Sequence, residues 1–212
     1  MDQTTIIYFS GAVLAYLIGS IPTAVWIGRI FYHVDVRTKG SGNAGATNTI
    51  RVLGLKAGIP VLIIDVLKGW LAVYMAKFFW MSTTGFPDFI DLKIIYAIAA
   101  VIGHVFPIYV GFKGGKGIAT LLGIGIALYP IAAFIALGIF IIVLLLTGYV
   151  SLSSISAAVT FPVVYIFILG QSQYISLMVL ALAVAIFVPL THRKNIRRLL
   201  KGEENKFRVN KN

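Results

Sequence analysis

The chain has 212 residues, of which 59% are hydrophobic and only 12% are charged. A soluble domain carries about a quarter of its residues as charged side chains, because its surface faces water. The net charge is +11, but 13 of the 18 Lys and Arg residues lie in two stretches, 29–56 and 193–211. Basic clusters beside apolar segments are typical of cytoplasmic loops and of contact with anionic lipid headgroups. This pattern favours a membrane protein and argues against nucleic acid as a partner.

Two features of the sequence narrow the class further. There is no cysteine, which excludes a disulfide framework, thiol catalysis and a thiolate metal site. The first residues, MDQTTIIYF, lack the basic region and the small-residue cleavage site of a signal peptide. We therefore expect the first apolar span to be retained.

Apolar stretches long enough to approach a membrane crossing recur along the chain, since a crossing helix needs about 20 such residues. In chain order they run over residues 5–30, 57–80, 92–110, 118–146, 155–169 and 174–190. Loop 111–117 and the tail 191–212 are both basic, so both are expected on the cytoplasmic side. An even number of crossings must then separate them.

The stretch 118–146 decides the number of crossings. It has 29 residues with Pro130 near its middle, and proline disfavours helix at the residue before it. We predict two short crossings with a turn at Tyr129–Pro130; one long, kinked and tilted helix remains the alternative. The expected fold is an all-α polytopic membrane protein with about seven transmembrane helices. Its N-terminus would be outside, its C-terminus cytoplasmic, and residues 1–212 would form a single domain.

The first polar segment between spans is KGSGNAGATNTIR, residues 39–51. Its glycines allow a ligand to approach the backbone closely, and Arg51 offers a planar fork suited to phosphate or carboxylate. On spacing alone, a flexible loop with a basic flank is an equal alternative. The candidate ligand-binding residues are Lys39, Ser41, Gly42, Asn43, Thr47, Asn48 and Arg51.

The second polar segment, residues 103–120, is GHVFPIYVGFKGGKGIAT. Backbone N–H groups at a helix start attract anions, and lysines add charge, so the segment predicts a phosphate-binding loop. The spacing does not match a Walker loop. His104 lies near the end of an apolar span, where an ionisable side chain is a functional candidate; a structural hydrogen bond to a neighbouring helix is the alternative. The candidate loop residues are Gly111, Lys113, Gly114, Gly115, Lys116 and Gly117.

The third polar segment begins THRKN and ends GEEN, residues 191–205. His192 and Asn195 are three residues apart and share a face if the segment is helical. A topology anchor that contacts lipid headgroups is the alternative.

Weaker candidates lie outside these three segments. Ser153 and Ser154 are possible ligand groups, although serines in membrane helices usually bond to their own backbone. Asp65 and Lys68 are spaced as an i,i+3 pair, which we interpret as structural, since each charge eases the burial of the other.

The three polar segments resemble, in order and spacing, the three motifs of the acyl-phosphate-dependent glycerol-3-phosphate acyltransferases, the PlsY enzymes of bacterial plasma membranes. The matching residues are GSGNAGATN followed by Arg51, GHVFPIYVGFKGGKG, and THRKN followed by GEEN. The resemblance covers essentially the whole chain. It implies an inner-membrane enzyme whose active site faces the cytoplasm.

The resemblance also implies the reaction. An acyl group moves from acyl phosphate to the 1-hydroxyl of glycerol 3-phosphate, without acyl-CoA, acyl carrier protein or a cofactor. Ser41 and Arg51 match the essential pair of the first motif, and the glycines of 111–117 match the glycerol-phosphate loop. His192 and Asn195 match the functional pair of the third motif, and Glu203 matches a residue tied to structural integrity.

Acyl phosphate is a mixed anhydride with a good leaving group, so the substrate hydroxyl can attack it directly. The protein then needs to supply positioning and electrostatic stabilisation. His104 is the best side-chain candidate for a general base, and a substrate phosphate oxygen is the rival acceptor. No group of His, Asp and Glu residues has the spacing of metal ligands.

Two other classes of protein remain open. A transporter of a phosphorylated small molecule would also use broken helices and glycine-rich anion sites. It would place polar groups near the middle of the bilayer, whereas here they are expected at one face. A scaffold that binds anionic lipid explains the basic tail but not the two glycine-rich loops.

Overall fold

The computed structural model describes residues 3–81, 89–171 and 173–207. Within these ranges every regular element is a helix, which confirms the predicted all-α class. The predicted external loop around Asp88 lies outside the described residues. The chain divides into two compact units, one ending at Leu128 and the other beginning at Tyr129.

The first unit contains six α-helices and two short 3₁₀ turns. The stretch expected to form a single span over residues 5–30 is instead two helices with a 41° bend between them. The break falls at Pro22, immediately before the second helix, because proline lacks the N–H that would continue the helical hydrogen bonds. The helices are α1 (Gln3–Gly19), α2 (Thr23–Tyr32), α3 (Ala46–Leu53), α4 (Leu55–Met81), α5 (Phe89–Val105) and α6 (Ile118–Leu128).

Helix α4 lies at the centre of this unit and packs against each of its other five helices. Small residues allow the close approach. A Cβ added at Gly69 would collide with the backbone of Thr120 on α6, and one at Gly123 would collide with the carbonyl of Val66 on α4. Between α1 and α5, Gly19 packs in the same way against the backbone of Ala100. Small residues at helix contacts are common in membranes, where packing rather than hydrophobicity drives association.

The second unit contains four α-helices, with a π-helical turn at Val164–Ile168 continuing the second of them. Its core is aromatic: the Tyr129 ring meets Phe161 and Tyr165 at centroid distances of 5.1 and 4.7 Å. The Tyr129 hydroxyl donates to the carbonyl of Leu177, 2.8 Å away. The helices are α7 (Pro130–Thr147), α8 (Val150–Val163), α9 (Ile175–Thr191) and α10 (Arg193–Leu200).

In the part of the chain that the structure describes, four helices are long and apolar enough to cross a bilayer, or up to six if each bent pair counts as one span. The helix is interrupted at the predicted position, because α6 ends at Leu128 and Tyr129 is not helical (φ −139°, ψ 56°); that the chain reverses its direction there stays a prediction. Helix α6 has only 11 residues, about 16 Å of rise, so it is short for a crossing. The count of about seven crossings therefore stays a prediction.

Candidate active site

A cluster of charges orders the start of the first polar loop. The Asp35 carboxylate accepts hydrogen bonds from Arg37 and Arg29, each at 2.8 Å. The hydrogen bond from the Arg37 side chain holds the pKa of Asp35 well below its usual range, and the same bond raises the pKa of Arg37. Asp35 is therefore a permanent anion that fixes the Arg37 guanidinium.

Arg37 also joins the first polar loop to the second. Its Nη1 donates to the carbonyl of Val110 at 2.9 Å and to that of Lys113 at 3.2 Å. The first and second polar segments, which were predicted to act together, are thus held side by side within the first unit. Sequence reasoning missed this residue, although the V-D-V-R pattern at 34–37 places an acid and a base close together in a polar segment.

Asn48 holds the first loop from inside. Its side chain is buried, its Oδ1 accepts from the N–H of Ser41 at 2.8 Å, and its Nδ2 donates to the carbonyls of Val36 and Lys39 at 2.8 and 3.2 Å. The amide of Asn48 thus anchors the loop from within, and direct binding of substrate by Asn48 stays a prediction. Gly40 allows this arrangement, since its φ is +60° and a Cβ there would collide with Asn48 Oδ1.

The other candidates of the first loop are more accessible. Lys39, Ser41 and Gly42 are exposed, while Asn43, Thr47 and Arg51 are half-buried. Arg51 lies in the last turn of α3. Ser41 thus combines an exposed side chain with a backbone that Asn48 fixes. These are the properties of groups that can meet a ligand at a preorganised surface.

The second loop folds back on the end of α5. The N–H of Gly114 donates to the carbonyl of Val105 at 3.1 Å, and that of Gly115 donates to the carbonyl of His104 at 3.2 Å. These two amides therefore do not point at a phosphate, as the sequence had suggested; they satisfy carbonyls at the helix end. The predicted opening into a helix is present, since α6 begins at Ile118. The first N–H groups of that helix are donors suited to an anion.

The conformation of the second loop requires glycine at two of the predicted positions. Gly111 has φ +71° and Gly117 has φ +81°, values that L side chains rarely adopt. Between them, Lys113 is exposed and Lys116 is half-buried. The loop therefore presents at least one lysine to solvent on a tightly specified backbone.

His104 lies beneath this loop and is buried. Its Nδ1 forms a hydrogen bond with the Thr120 hydroxyl at 3.1 Å. A Cβ added at Gly115 would collide with its Nε2, so the imidazole packs directly against the loop backbone. This environment supports the structural alternative for His104, with a threonine hydroxyl as its partner.

In the second unit, His192 and Asn195 lie where α9 turns into α10, and both are buried. His192 donates from Nδ1 to the carbonyl of Val188 at 2.8 Å. In the neutral ring this bond leaves the lone pair on Nε2. Asn195 donates from Nδ2 to Glu204 at 2.6 Å, so its orientation is also set.

The carboxylate that organises this region is Glu204. It accepts from Ser151 at 2.8 Å and from Arg198 at 2.7 Å, besides Asn195. Burial acts to raise the pKa of Glu204, but these hydrogen bonds outweigh it and the pKa is lowered. The expected structural role of Glu203 is therefore wrong: its side chain is exposed, and the role belongs to the next residue.

Ser153 and Ser154 do not present their hydroxyls to a ligand. Both are buried, and they donate to the carbonyls of Tyr149 and Val150 at 2.8 and 2.9 Å, within their own helix. These bonds are the backbone bonding expected of serines in membrane helices; substrate binding by Ser153 and Ser154 stays a prediction. Among the described residues, no group of three or more His, Asp or Glu side chains could hold a metal ion.

The architecture and the site define an all-α integral membrane protein whose first unit carries two joined, glycine-rich polar loops. The family model described as glycerol-3-phosphate acyltransferase matches residues 9–202. The chain belongs to this family.

Similar proteins extend the match to nearly the full length. The glycerol-3-phosphate acyltransferase of Fusobacterium nucleatum is 46% identical over 201 residues, covering 95% of this chain and 98% of that protein. The protein of the same name from Chlorobium luteolum is 42% identical, covering 94% and 97%. A crystal structure of PlsY (YgiH), an integral membrane glycerol 3-phosphate acyltransferase in its glycerol 3-phosphate form, has a TM-score of 0.83 and 35% identity, covering 95% and 96%.

Proposed function

We propose that this protein transfers an acyl group from acyl phosphate to the 1-hydroxyl of glycerol 3-phosphate. The products are 1-acylglycerol 3-phosphate (lysophosphatidic acid) and inorganic phosphate, an early step of bacterial phospholipid synthesis. One observation carries the proposal: the fold matches two crystal structures of PlsY over 95% of this chain. One is described as the glycerol 3-phosphate form and the other as the lysophosphatidic acid form. These are the acceptor and the product of such a transfer.

The chemistry needs no covalent enzyme intermediate. The hydroxyl oxygen attacks the acyl carbon, the bond from that carbon to the phosphate oxygen breaks, and phosphate leaves with the electron pair. The hydroxyl proton passes to a base as the new ester forms. Exposed cations such as Lys39 and Lys113 suit the phosphate groups of both substrates, and Arg51 can bind phosphate through two N–H groups at once.

The acceptor of the proton, in our proposal, is a phosphate oxygen of the substrates. The burial of His104 between Thr120 and Gly115 supports this choice, because a general base must reach the hydroxyl that it deprotonates. His104 then acts on the loop rather than on the substrate. Ser41 steers a hydroxyl or carbonyl group through its exposed side chain, and His192 and Asn195 form the functional pair of the third motif.

We further propose about seven crossings, with the N-terminus outside and the C-terminus in the cytoplasm. The site would then face the cytoplasm in the bacterial inner membrane, and residues 1–212 would act as one acyltransferase domain. The clustering of Lys and Arg in loops 29–56 and 193–211 supports this orientation, since positive loops stay on the cytoplasmic side.

The test uses purified protein in detergent micelles, with glycerol 3-phosphate and a long-chain acyl phosphate. We expect stoichiometric release of phosphate and formation of lysophosphatidic acid, with no reaction when acyl-CoA replaces acyl phosphate. An equal rate with acyl-CoA would overturn the proposed donor. Uptake of labelled glycerol 3-phosphate into proteoliposomes, without acyl transfer, would replace the enzyme with a transporter.

A further inference from the structure

Helix α4 carries a buried ion pair that lies outside both polar loops. Asp65 and Lys68 are 2% and 4% exposed at their side chains, and Nζ lies 2.7 Å from Oδ1. This helix is one of those long and apolar enough to span the bilayer. Ionisable residues are costly in such a segment, and where they occur they usually serve a function.

The pair is bonded to the start of α2 as well as to itself. Lys68 Nζ donates to the carbonyl of Ile21 at 3.0 Å, at the break between α1 and α2. The Thr23 hydroxyl donates to Asp65 Oδ1 at 3.1 Å. The two charges thus fix the backbone on one side of the break and a side chain on the other.

The same carboxylate faces the histidine beneath the glycine loop. His104 Nδ1 lies 3.8 Å from Asp65 Oδ1, and the ring packs against Gly115 on its other side. A small cavity opens between these groups, and its lining includes Thr23, Asp65, Lys68, His104, Gly114 and Gly115. The ion pair therefore lies directly below the loop that matches the glycerol-phosphate motif.

Stability alone does not account for such a pair. Replacing a buried ion pair by apolar side chains of similar volume is often neutral or stabilising, whereas removing one partner alone costs about 3–5 kcal/mol. Stability of the helix in lipid therefore does not by itself require charges at these two positions. What the charges add is directional hydrogen bonds to Ile21 and Thr23 and a carboxylate 3.8 Å from the imidazole of His104.

We propose that Asp65 and Lys68 are positioning residues. They hold the imidazole of His104 in place, and this ring in turn holds the Gly114–Gly115 backbone in the position that binds glycerol 3-phosphate. The inference rests on the proposed function, because it concerns the acceptor site of the same reaction. The pair does not touch substrate. Its effect reaches the substrate through the imidazole ring that supports the loop.

The test is a double-mutant cycle with D65N, K68M and the double variant D65N/K68M. D65N leaves the buried charge of Lys68 without its partner, and K68M does the same to Asp65. Both single variants are therefore expected to have a lower melting temperature than the wild type. The double variant removes both charges at nearly constant volume and is expected to be more stable than either single variant. Its KM for glycerol 3-phosphate should nevertheless rise about tenfold or more, since small displacements of a binding loop are costly. Its KM for acyl phosphate should stay near that of the wild type.

The matched control is K93M, which removes another lysine of an apolar helix. Lys93 lies over the Phe89 ring, 4.2 Å from its centroid, and is not bonded to Asp65, Lys68 or His104. The K93M change should leave both KM values unchanged. A double variant that is stable and has the wild-type KM for glycerol 3-phosphate would show that the pair serves folding only.

A second variant, T23V, removes only the hydroxyl that donates to Asp65. We expect a smaller rise in the same KM, and an unchanged KM in T23V would overturn the proposal if the double variant fails to fold. A wild-type protein that consumes no glycerol 3-phosphate would instead refute the proposed function. The two failures are therefore distinguishable.

Discussion

Glu204 offers a sharp test of the site geometry because an identical residue stands beside it. We compare E204A with E203A. Glu204 is 7% exposed at its side chain and accepts three hydrogen bonds, while Glu203 is exposed. The same chemical change is thus made at neighbouring positions with opposite environments.

The magnitude follows from the bonds that are lost. In E204A the buried Asn195 amide and the Ser151 hydroxyl each lose their hydrogen bond to this carboxylate, at roughly 1 kcal/mol or more per bond. The bond to Arg198 adds less than a buried one would, since that side chain is 34% exposed and partly screened. The sum is about 2–4 kcal/mol, which for a chain of this size corresponds to a fall in Tm on the order of 10 °C. E203A should change Tm by less than about 2 °C, because exposed sites contribute little.

The assay is thermal unfolding in detergent, repeated as the pH is lowered. The pKa of Glu204 is lowered in the folded protein, so its stabilisation is present above the unfolded pKa of about 4.3. It is lost as the pH falls through the lower folded value. The gap in Tm between wild type and E204A should therefore narrow below about pH 4.3. A larger loss in E203A than in E204A would refute the assignment of the structural role to Glu204.

Three further predictions concern the loops. G115A should raise the KM for glycerol 3-phosphate more than it lowers kcat, because the new methyl group would collide with His104. The control is G138A, where a Cβ meets nothing within 4 Å, and it should behave as wild type. R51K should lose most activity in a phosphate-release assay while the protein still folds, since lysine keeps the charge but not the planar fork; near-normal turnover would remove the bidentate contact from our account. In a cysteine-labelling experiment, a site near Asp88 should react from outside, whereas the following sites should react only from the cytoplasm: Lys39, Lys113 and Lys201.

Hydropathy predicted most of the helices but not their interruptions. The span expected over residues 57–80 appears as α4, Leu55–Met81, because a long apolar run has few other stable forms in lipid. The break at Pro22 was not predicted, since it lies inside a stretch whose average hydropathy is high. Averaged hydropathy contains no information about where a backbone N–H is missing. The interruption at Tyr129–Pro130 could be predicted, because the proline disfavours helix at the residue before it and the charge of the flanking loops called for an extra crossing.

The candidate site shows a different limit. Residue type alone could not separate Asn48, a buried anchor, from Ser41, whose backbone it holds. Both are small polar residues in one glycine-rich segment, and only the three-dimensional fold decides which side chain turns inward. The misplacement at Glu203 has a similar origin: two adjacent carboxylates match a motif equally well, but consecutive residues point in different directions. Only Glu204 faces Asn195 and Ser151.

The distribution of paired and unpaired charges gives the site its electrostatic character. In the first unit, Asp35 neutralises Arg37 and Asp65 neutralises Lys68, and these cations hold backbone carbonyls in place. In the part of the chain that the structure describes, Lys39 and Lys113 have no acidic partner within salt-bridge distance, and both are exposed. Buried charge is tolerated only when it is paired, so the paired cations can serve as internal anchors. The charges of the unpaired lysines are not offset by a neighbouring carboxylate and can attract a dianion, and the phosphate groups of both proposed substrates carry that kind of charge.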